Sequence, residues 1–237
     1  MTTFCLLHGA WHDSSCWIPV VHGLQERGHA AVTPDLPLHD PGASFQDRIG
    51  PVIRALAGVP APVVVGHSLG SSYGPLIAAA RPCSLVVHLC PRIGPLAALP
   101  GAPRVFREGF PFPPDRADGT SVWDPEDAIA AMYGRLDPAT AGALAGRLRP
   151  MAPAAGRYPL ERHPDVPTAL VYAADDEFFE PDWERFMASH LLGIEPIEIP
   201  GGHFPMAEDP QALVELLDRL VRERASASPS PPAWILD

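Results

Sequence analysis

The residues best suited to covalent chemistry are Gly66-His67-Ser68-Leu69-Gly70. A run of valines at 63–65 ends in this pentapeptide, and small residues typical of a helix follow over 71–80. Strand, tight turn and helix is the context in which Gly-x-Ser-x-Gly forms a nucleophile elbow. The turn strains the serine backbone, and the flanking glycines leave room because they lack a Cβ. The pattern therefore predicts Ser68 as a nucleophile, with helix N–H groups facing any oxyanion formed there.

A serine hydroxyl needs a base within hydrogen-bond reach, and ten histidines compete for this role. His203 lies on a Gly-rich loop after the last predicted strand, and imidazole titrates near neutral pH. His8 and His67 belong to turn motifs in which histidine is usually structural, and His88 lies within a predicted strand. The remaining six lack a suitable loop: His12, His22, His29, His39, His163 and His190. We therefore predict His203 as the base.

The second ring nitrogen of the base requires an acceptor, which fixes the tautomer and stabilises the imidazolium. Asp175 and Asp176 are adjacent at the end of the predicted strand 168–172. Asp175 could instead be a turn residue that bonds local backbone. The residues themselves leave this choice open.

These groups must be positioned by an alternation of strands and helices, which indicates a parallel sheet with helices on both faces. Strands are predicted at 4–7, 30–33, 85–90, 168–172 and 194–199, and in the valine run 63–65 that precedes the elbow. Helices are predicted after Ser14 or Ser15, after Ser44, and over 71–80, 181–192 and 210–222. The alternation breaks over 91–163, a Pro- and Gly-rich stretch with two short predicted helices, 125–133 and 138–148. We expect this insertion to lie over the strand ends as a lid.

The expected organisation is a core domain of residues 1–90 and 164–223, a lid of residues 91–163, and a C-terminal tail of residues 224–237. The tail is rich in Ser and Pro, so it cannot order itself by core burial. It ends in the apolar tag Ala233-Trp234-Ile235-Leu236-Asp237. We expect this tag to pack on the body of the protein or on a neighbouring chain.

Composition excludes several classes of function. The chain has 237 residues and a net charge of −11, which argues against nucleic acid and anionic membranes as partners. All 17 basic residues are arginine, so lysine Schiff-base chemistry and ordinary pyridoxal-phosphate catalysis are excluded.

No signal peptide or membrane span is evident, so we expect a cytoplasmic protein. The four cysteines, which lack metal-ligand spacing, are expected to be reduced: Cys5, Cys16, Cys83 and Cys90.

The order Ser68, Asp175/Asp176, His203, together with His8-Gly9 after the first strand, resembles the α/β-hydrolase superfamily. The segments His8-Gly9-Ala10-Trp11-His12 and Gly202-His203-Phe204-Pro205-Met206 are similar to the small esterases of the methylesterase and hydroxynitrile lyase group. The resemblance covers about residues 4 to 222. It implies a six-stranded α/β-hydrolase fold, a small-molecule substrate, and no cofactor or metal; a homodimer is left open.

The resemblance also assigns residues. Related sequences place the acid three residues after a small residue that ends the strand; Ala173 holds that place, which favours Asp176. The oxyanion hole is expected from the backbone amides of Leu69 and Ala10. Arg92 could bind a substrate carboxylate bidentately, with a surface ion pair as the alternative. Substrate-pocket candidates are Trp11, His12, Arg92, Phe110, Trp123 and Phe204.

The leading functional hypothesis is a serine hydrolase for an ester, thioester or lactone of a small, largely apolar substrate. A lyase, cyclase or decarboxylase on the same fold is the second hypothesis, and a non-catalytic ligand-binding protein is the third. Hydroxynitrile lyases of the resembling group use a pocket lysine for cyanide, and this chain has none. That argues against cyanide release and leaves cyclase and decarboxylase chemistry open.

Overall fold

A six-stranded parallel sheet forms the centre of the protein in the computed structural model, which describes residues 1–94 and 101–226. The strands are β1 (Thr3–Leu7), β2 (Ala30–Val32), β3 (Val63–His67), β4 (Leu85–Leu89), β5 (Thr168–Ala173) and β6 (Ile197–Ile199). Their spatial order is β2-β1-β3-β4-β5-β6, and every neighbouring pair is parallel. The predicted six-stranded fold is confirmed. Because β3 is central, the elbow at its carboxyl end lies in the middle of the sheet edge.

The central strands are continuous apolar runs because both faces of the sheet are covered. Phe4 and Leu6 of β1 point into one buried cluster, and Cys5 and Leu7 point into the other. The helices are α1 (Ile18–Glu26), α2 (Phe45–Ala55), α3 (Gly74–Ala80), α4 (Pro125–Met132), α5 (Pro138–Ala145), α6 (Pro181–Phe186), α7 (Pro205–Glu208) and α8 (Pro210–Ser226). Helices α1 and α8 pack on the first cluster, and α2 and α3 pack on the second.

Local capping chemistry explains where several helices begin. Ser44 caps α2 through a capping box in which its hydroxyl accepts from the Asp47 N–H and the Asp47 carboxylate accepts from the Ser44 N–H. The expectation of a cap at Ser14 or Ser15 was wrong. Asp13 instead caps a single 3₁₀ turn, Ser14–Trp17, because its carboxylate accepts from the Ser15 N–H at 2.9 Å. Helix α1 then begins at Ile18.

Residues 101–167 lie between β4 and β5, and this segment, which we call the cap, carries α4 and α5. Both helices have Pro at their first turn and an aspartate N-cap. The cap is fastened to α2 by the buried Arg48, which donates to the carbonyl oxygens of Ala152 and Pro153, each at 3.0 Å. The apolar tag expected to dock, 233–237, lies outside the described residues. No helix in the described ranges is long and apolar enough to cross a membrane.

Candidate active site

The elbow at the end of β3 holds Ser68 in a left-handed backbone conformation with φ 50°. A Cβ on Gly66 would lie 2.6 Å from the Gly70 carbonyl oxygen, and one on Gly70 would lie 2.6 Å from the His8 carbonyl oxygen. The turn therefore closes only because both flanking residues are glycine. The segment after Ser68 differs from the predicted helix, since Ser68–Ser72 is a 3₁₀ helix and α3 begins at Gly74. Strain at a serine beside tight glycines is typical of a functional site.

His203 and Asp176 are brought together at the carboxyl edge of the sheet. The His203 Nδ1 atom lies 2.7 Å from Asp176 Oδ2, and the two side chains are 1% and 0% exposed. The other carboxylate oxygen of Asp176 accepts the N–H groups of Phe178 and Phe179 at 2.7 and 2.8 Å. Because both oxygens of this carboxylate accept hydrogen bonds, its buried charge is stabilised. Asp175 has a side chain that is 61% exposed and pairs with Arg135 at 3.3 Å.

The loop that carries His203 is fastened by three side chains that sequence reasoning had not assigned to the site. The Glu177 carboxylate accepts the His203 N–H at 3.0 Å, and the Glu208 carboxylate accepts the Gly202 N–H at 2.9 Å. The His67 Nε2 atom donates to the His203 carbonyl oxygen at 2.7 Å. His67 therefore ties the elbow to the loop of the predicted base. The acidic residues carry no local sequence signal for this role.

The loop after β1 lies directly against the elbow, as an oxyanion loop requires. A Cβ built on Gly9 would lie 3.1 Å from the Ser68 Cβ. The ring of His8 is fixed at both nitrogens, since Nδ1 lies 2.9 Å from the Gly9 carbonyl oxygen and Nε2 accepts the Leu36 N–H at 2.9 Å. Burial lowers the pKa of His8, so the ring is neutral and serves to hold this loop. The amides expected to stabilise an oxyanion, those of Ala10 and Leu69, lie on this loop and on the elbow turn.

Two further ionisable groups are buried behind the predicted acid. Burial raises the pKa of Glu184 well above its usual value, and the negative charge of Asp176 raises it further. Both oxygens of Glu184 lack a hydrogen-bond partner among the described residues, which fits a neutral acid. The Cys90 thiol lies within 4.8 Å of ligand atoms of Asp176 and His203, and burial raises its pKa well above the ordinary value. All four cysteines are free.

Four of the predicted pocket residues belong to two series of aromatic contacts that lead to His203, namely Trp11, Phe110, Trp123 and Phe204. Trp11 meets Trp123 at a ring-centroid distance of 5.9 Å, and Trp123 meets Phe110 at 6.1 Å. Phe110 packs at 4.1 Å on Phe178, which stacks at 4.3 Å on His203. On the other side, Phe204 lies 5.1 Å from the His203 ring.

The remaining pocket candidates are His12 and Arg92. His12 packs on Phe204 at 5.0 Å. Arg92 is half-buried, and its backbone N–H donates to the Ser68 carbonyl oxygen at 3.0 Å. Within the described ranges Arg92 forms no ion pair, and its buried Nε has no acceptor. The surface ion pair considered as its alternative role is therefore not formed with those residues.

A cleft of about 970 Å³ opens in the cap and is lined by Phe110, Trp123, Arg107, Asp127 and Glu177, among others. Neither Ser68 nor His203 lines it. The cleft therefore does not include the space around the reacting atoms. Its connection to the site is Glu177, whose carboxylate holds the His203 N–H.

The fold, the elbow and the buried histidine–aspartate pair together define the class of α/β proteins that carry a serine at a nucleophile elbow. A family model described as the alpha/beta hydrolase family matches residues 6–216, and the chain belongs to that family of enzymes. A comparison with curated proteins finds no significant match.

Solved structures with the same fold include several esterases. A pyrethroid hydrolase from Sphingobium faniae JZ-2 is 22% identical with a TM-score of 0.77, covering 95% of this chain and 99% of that one. A methylesterase from Arabidopsis is 18% identical with a TM-score of 0.70, and the match covers 94% of this chain and 100% of the methylesterase. Polyneuridine aldehyde esterase is 18% identical with a TM-score of 0.70, and the match covers 93% of this chain and 99% of the esterase. At these identities the likeness establishes the fold, and it agrees with the resemblance to the methylesterase-like group.

Proposed function

We propose that the protein is a serine hydrolase that cleaves a carboxylic ester, thioester or lactone through Ser68, His203 and Asp176. The observation that carries this proposal is the buried 2.7 Å hydrogen bond between His203 Nδ1 and Asp176 Oδ2, on a loop tied to the strained elbow. A histidine whose Nδ1–H is held by a carboxylate keeps the lone pair of Nε2 as a base. The names of the methylesterase and the pyrethroid hydrolase, which share the fold, are consistent with ester cleavage.

The proposed reaction has two halves. His203 Nε2 takes the proton of the Ser68 hydroxyl while Oγ bonds to the carbonyl carbon, and the carbonyl π electrons move onto oxygen. The N–H groups of Ala10 and Leu69 stabilise this oxyanion. When the oxyanion collapses, the bond to the alcohol or thiol breaks, and the leaving group takes the proton from His203. Water then attacks the acyl-enzyme with His203 as base, which releases the acid and restores Ser68.

The proposed substrate is small and largely apolar. This proposal is supported by the aromatic side chains that surround the base, namely Phe178, Phe179 and Phe204, with ring centroids 4.3 to 5.2 Å from the His203 ring. Trp11 and Trp123 extend this apolar surface toward the cap. Rings at these positions favour a hydrophobic acyl or alcohol group over a highly charged one.

The test combines covalent labelling with turnover. A serine-directed fluorophosphonate should label the wild-type protein at Ser68, and a small p-nitrophenyl ester should be hydrolysed. Ser68→Ala should abolish labelling and lower kcat by about 10⁵- to 10⁶-fold. Ser72→Ala is the matched control, because Ser72 lies on the same turn but its hydroxyl donates to the Arg92 carbonyl oxygen at 2.6 Å. Wild type that is neither labelled nor active would favour a lyase, cyclase or decarboxylase.

A further inference from the structure

His12, in the oxyanion loop, uses both of its ring nitrogens. Nδ1 lies 2.6 Å from the Ala10 carbonyl oxygen, and since a carbonyl can only accept, Nδ1 carries the proton. Burial lowers the pKa of His12 to about 4, so the ring is neutral at pH 7 and Nε2 is an acceptor. The Tyr133 hydroxyl lies 2.6 Å from Nε2 and must therefore donate to it. The tautomer and the direction of both hydrogen bonds are thus fixed.

Ala10 is held through the peptide groups on both sides of it. His8 donates to the Gly9 carbonyl, which belongs to the same peptide group as the Ala10 N–H. In a trans peptide the N–H points away from the carbonyl, so this bond helps to aim the Ala10 N–H. His12 holds the next carbonyl, that of Ala10 itself. The expected oxyanion donor therefore lies between two carbonyls that are each bonded to a histidine.

The loop needs such anchors because the residue after Ala10 is strained. Trp11 has a φ of 60°, a left-handed conformation that is strained for a bulky residue. The cap supplies contacts that oppose this strain. The Trp11 indole N–H donates to Ser121 Oγ at 3.2 Å, and the Trp11 carbonyl accepts the Arg149 N–H at 2.8 Å. Without the cap in place, the loop would lose these contacts and relax.

Tyr133 reaches the site from the cap. It follows the last residue of α4, its side chain is buried, and its ring packs at 5.0 Å on Phe204, the neighbour of His203. The sequence separation between Tyr133 and His12 is 121 residues. The contact therefore joins the cap to the oxyanion loop beside the predicted base.

We propose that Tyr133 and His12 form a positioning relay through which the docked cap sets the orientation of the Ala10 N–H. The inference rests on the proposed function, because an oxyanion donor matters only if an oxyanion forms. With the relay broken, substrate still binds, but the transition state loses part of its stabilisation. The expected signature is a fall in kcat with KM little changed.

The central experiment compares two tyrosine variants. Tyr133→Phe removes only the hydroxyl and should lower kcat for an activated ester by about 10-fold, less than the 10²- to 10³-fold lost with an oxyanion donor. Tyr158→Phe is the matched control, since that cap hydroxyl donates to the Ser72 carbonyl at 2.8 Å and does not touch the oxyanion loop. Both should lower the melting temperature similarly, and only Tyr133→Phe should lower kcat. A trifluoromethyl ketone that forms a hemiketal with Ser68 should bind Tyr133→Phe about 10-fold more weakly.

A second variant and a spectroscopic readout keep the two proposals separable. His12→Asn keeps a donor for the Ala10 carbonyl and removes the acceptor for Tyr133, so its effect should not add to that of Tyr133→Phe. In ¹⁵N NMR spectra Tyr133→Phe should shift the Ala10 amide, whereas Tyr158→Phe should not. If wild type turns over no ester, the hydrolase proposal fails. The chemical shift of the Ala10 amide in Tyr133→Phe still tests the relay. Unchanged kcat in Tyr133→Phe, a rise in KM alone, or an unmoved Ala10 amide overturns the relay.

Discussion

Replacing Asp176 by asparagine should inactivate the protein by forcing the wrong histidine tautomer. One oxygen of the carboxylate accepts the N–H groups of Phe178 and Phe179, so the amide oxygen of asparagine must take that place. The amide NH₂ group then faces His203 Nδ1, which now has to accept rather than donate. The ring proton moves to Nε2, and Nε2 can no longer accept the proton of Ser68.

The magnitude follows from the same geometry. An aspartate-to-asparagine change that reverses the tautomer of a catalytic histidine costs about 10⁴-fold in kcat, or about 5.5 kcal/mol of transition-state stabilisation. Asp175→Asn is the matched control, because the Asp175 side chain is 61% exposed and its ion pair with Arg135 is at the surface. A surface pair of this kind contributes about 0–1 kcal/mol to stability, so kcat should stay close to that of wild type.

The assay is kcat for an activated ester at neutral pH, with circular dichroism and melting temperature measured on all three proteins. Asp176→Asn should remain folded, because the amide keeps the size of the carboxylate and its bonds to the Phe178 and Phe179 N–H groups. The reasoning is refuted if Asp176→Asn keeps more than about a tenth of wild-type kcat. It is also refuted if Asp175→Asn loses as much activity as Asp176→Asn.

The remaining predictions concern stability. Gly66→Ala should lower the free energy of unfolding by about 1–3 kcal/mol, because its Cβ would lie 2.6 Å from rigid backbone of the elbow. Gly142→Ala, in α5 with open space around it, should instead stabilise by about 0.5–1 kcal/mol; equal effects in denaturant melts would contradict this reading. Burial lowers the pKa of His88 to about 3, so below pH 6.5 the unfolded chain takes up a proton that the native protein excludes. His88→Leu should therefore gain melting temperature relative to wild type as the pH falls from about 6.5 to 4; a constant difference would show that His88 does not titrate in this way.

The alternation of strands and helices could be predicted from the sequence because strands buried on both faces are continuous apolar runs. Element ends were less predictable. Helix α6 continues as a π-helical segment, Met187–Leu192, and α3 follows a 3₁₀ turn. In both places the apolar pattern shows a helix, and the hydrogen bonding within it depends on packing. The domain boundaries at 90, 163 and 223 stay a prediction.

Elements whose signal is local can be predicted from the amino-acid sequence alone. Ser68, with Gly66 and Gly70 on either side and a valine run before it, predicts a tight turn. His203, on a Gly-rich loop after the last strand, predicts a group that can accept and donate a proton. Both depend on backbone conformations that neighbouring residues dictate. The chain also contains no lysine, which excludes lysine Schiff-base chemistry.

Contacts between distant segments depend on how the folded chain packs. By residue type alone Asp175 and Asp176 are equivalent, and only the resemblance to related sequences favours Asp176. The turn after β5 directs Asp176 at His203 and Asp175 toward solvent. The hydroxyl of Tyr133 reaches His12 across 121 residues, and no spacing rule connects them. Burial then sets the protonation state of His12, because a charged ring in an apolar surrounding is costly. Such partners are chosen by packing, which no short stretch of sequence contains.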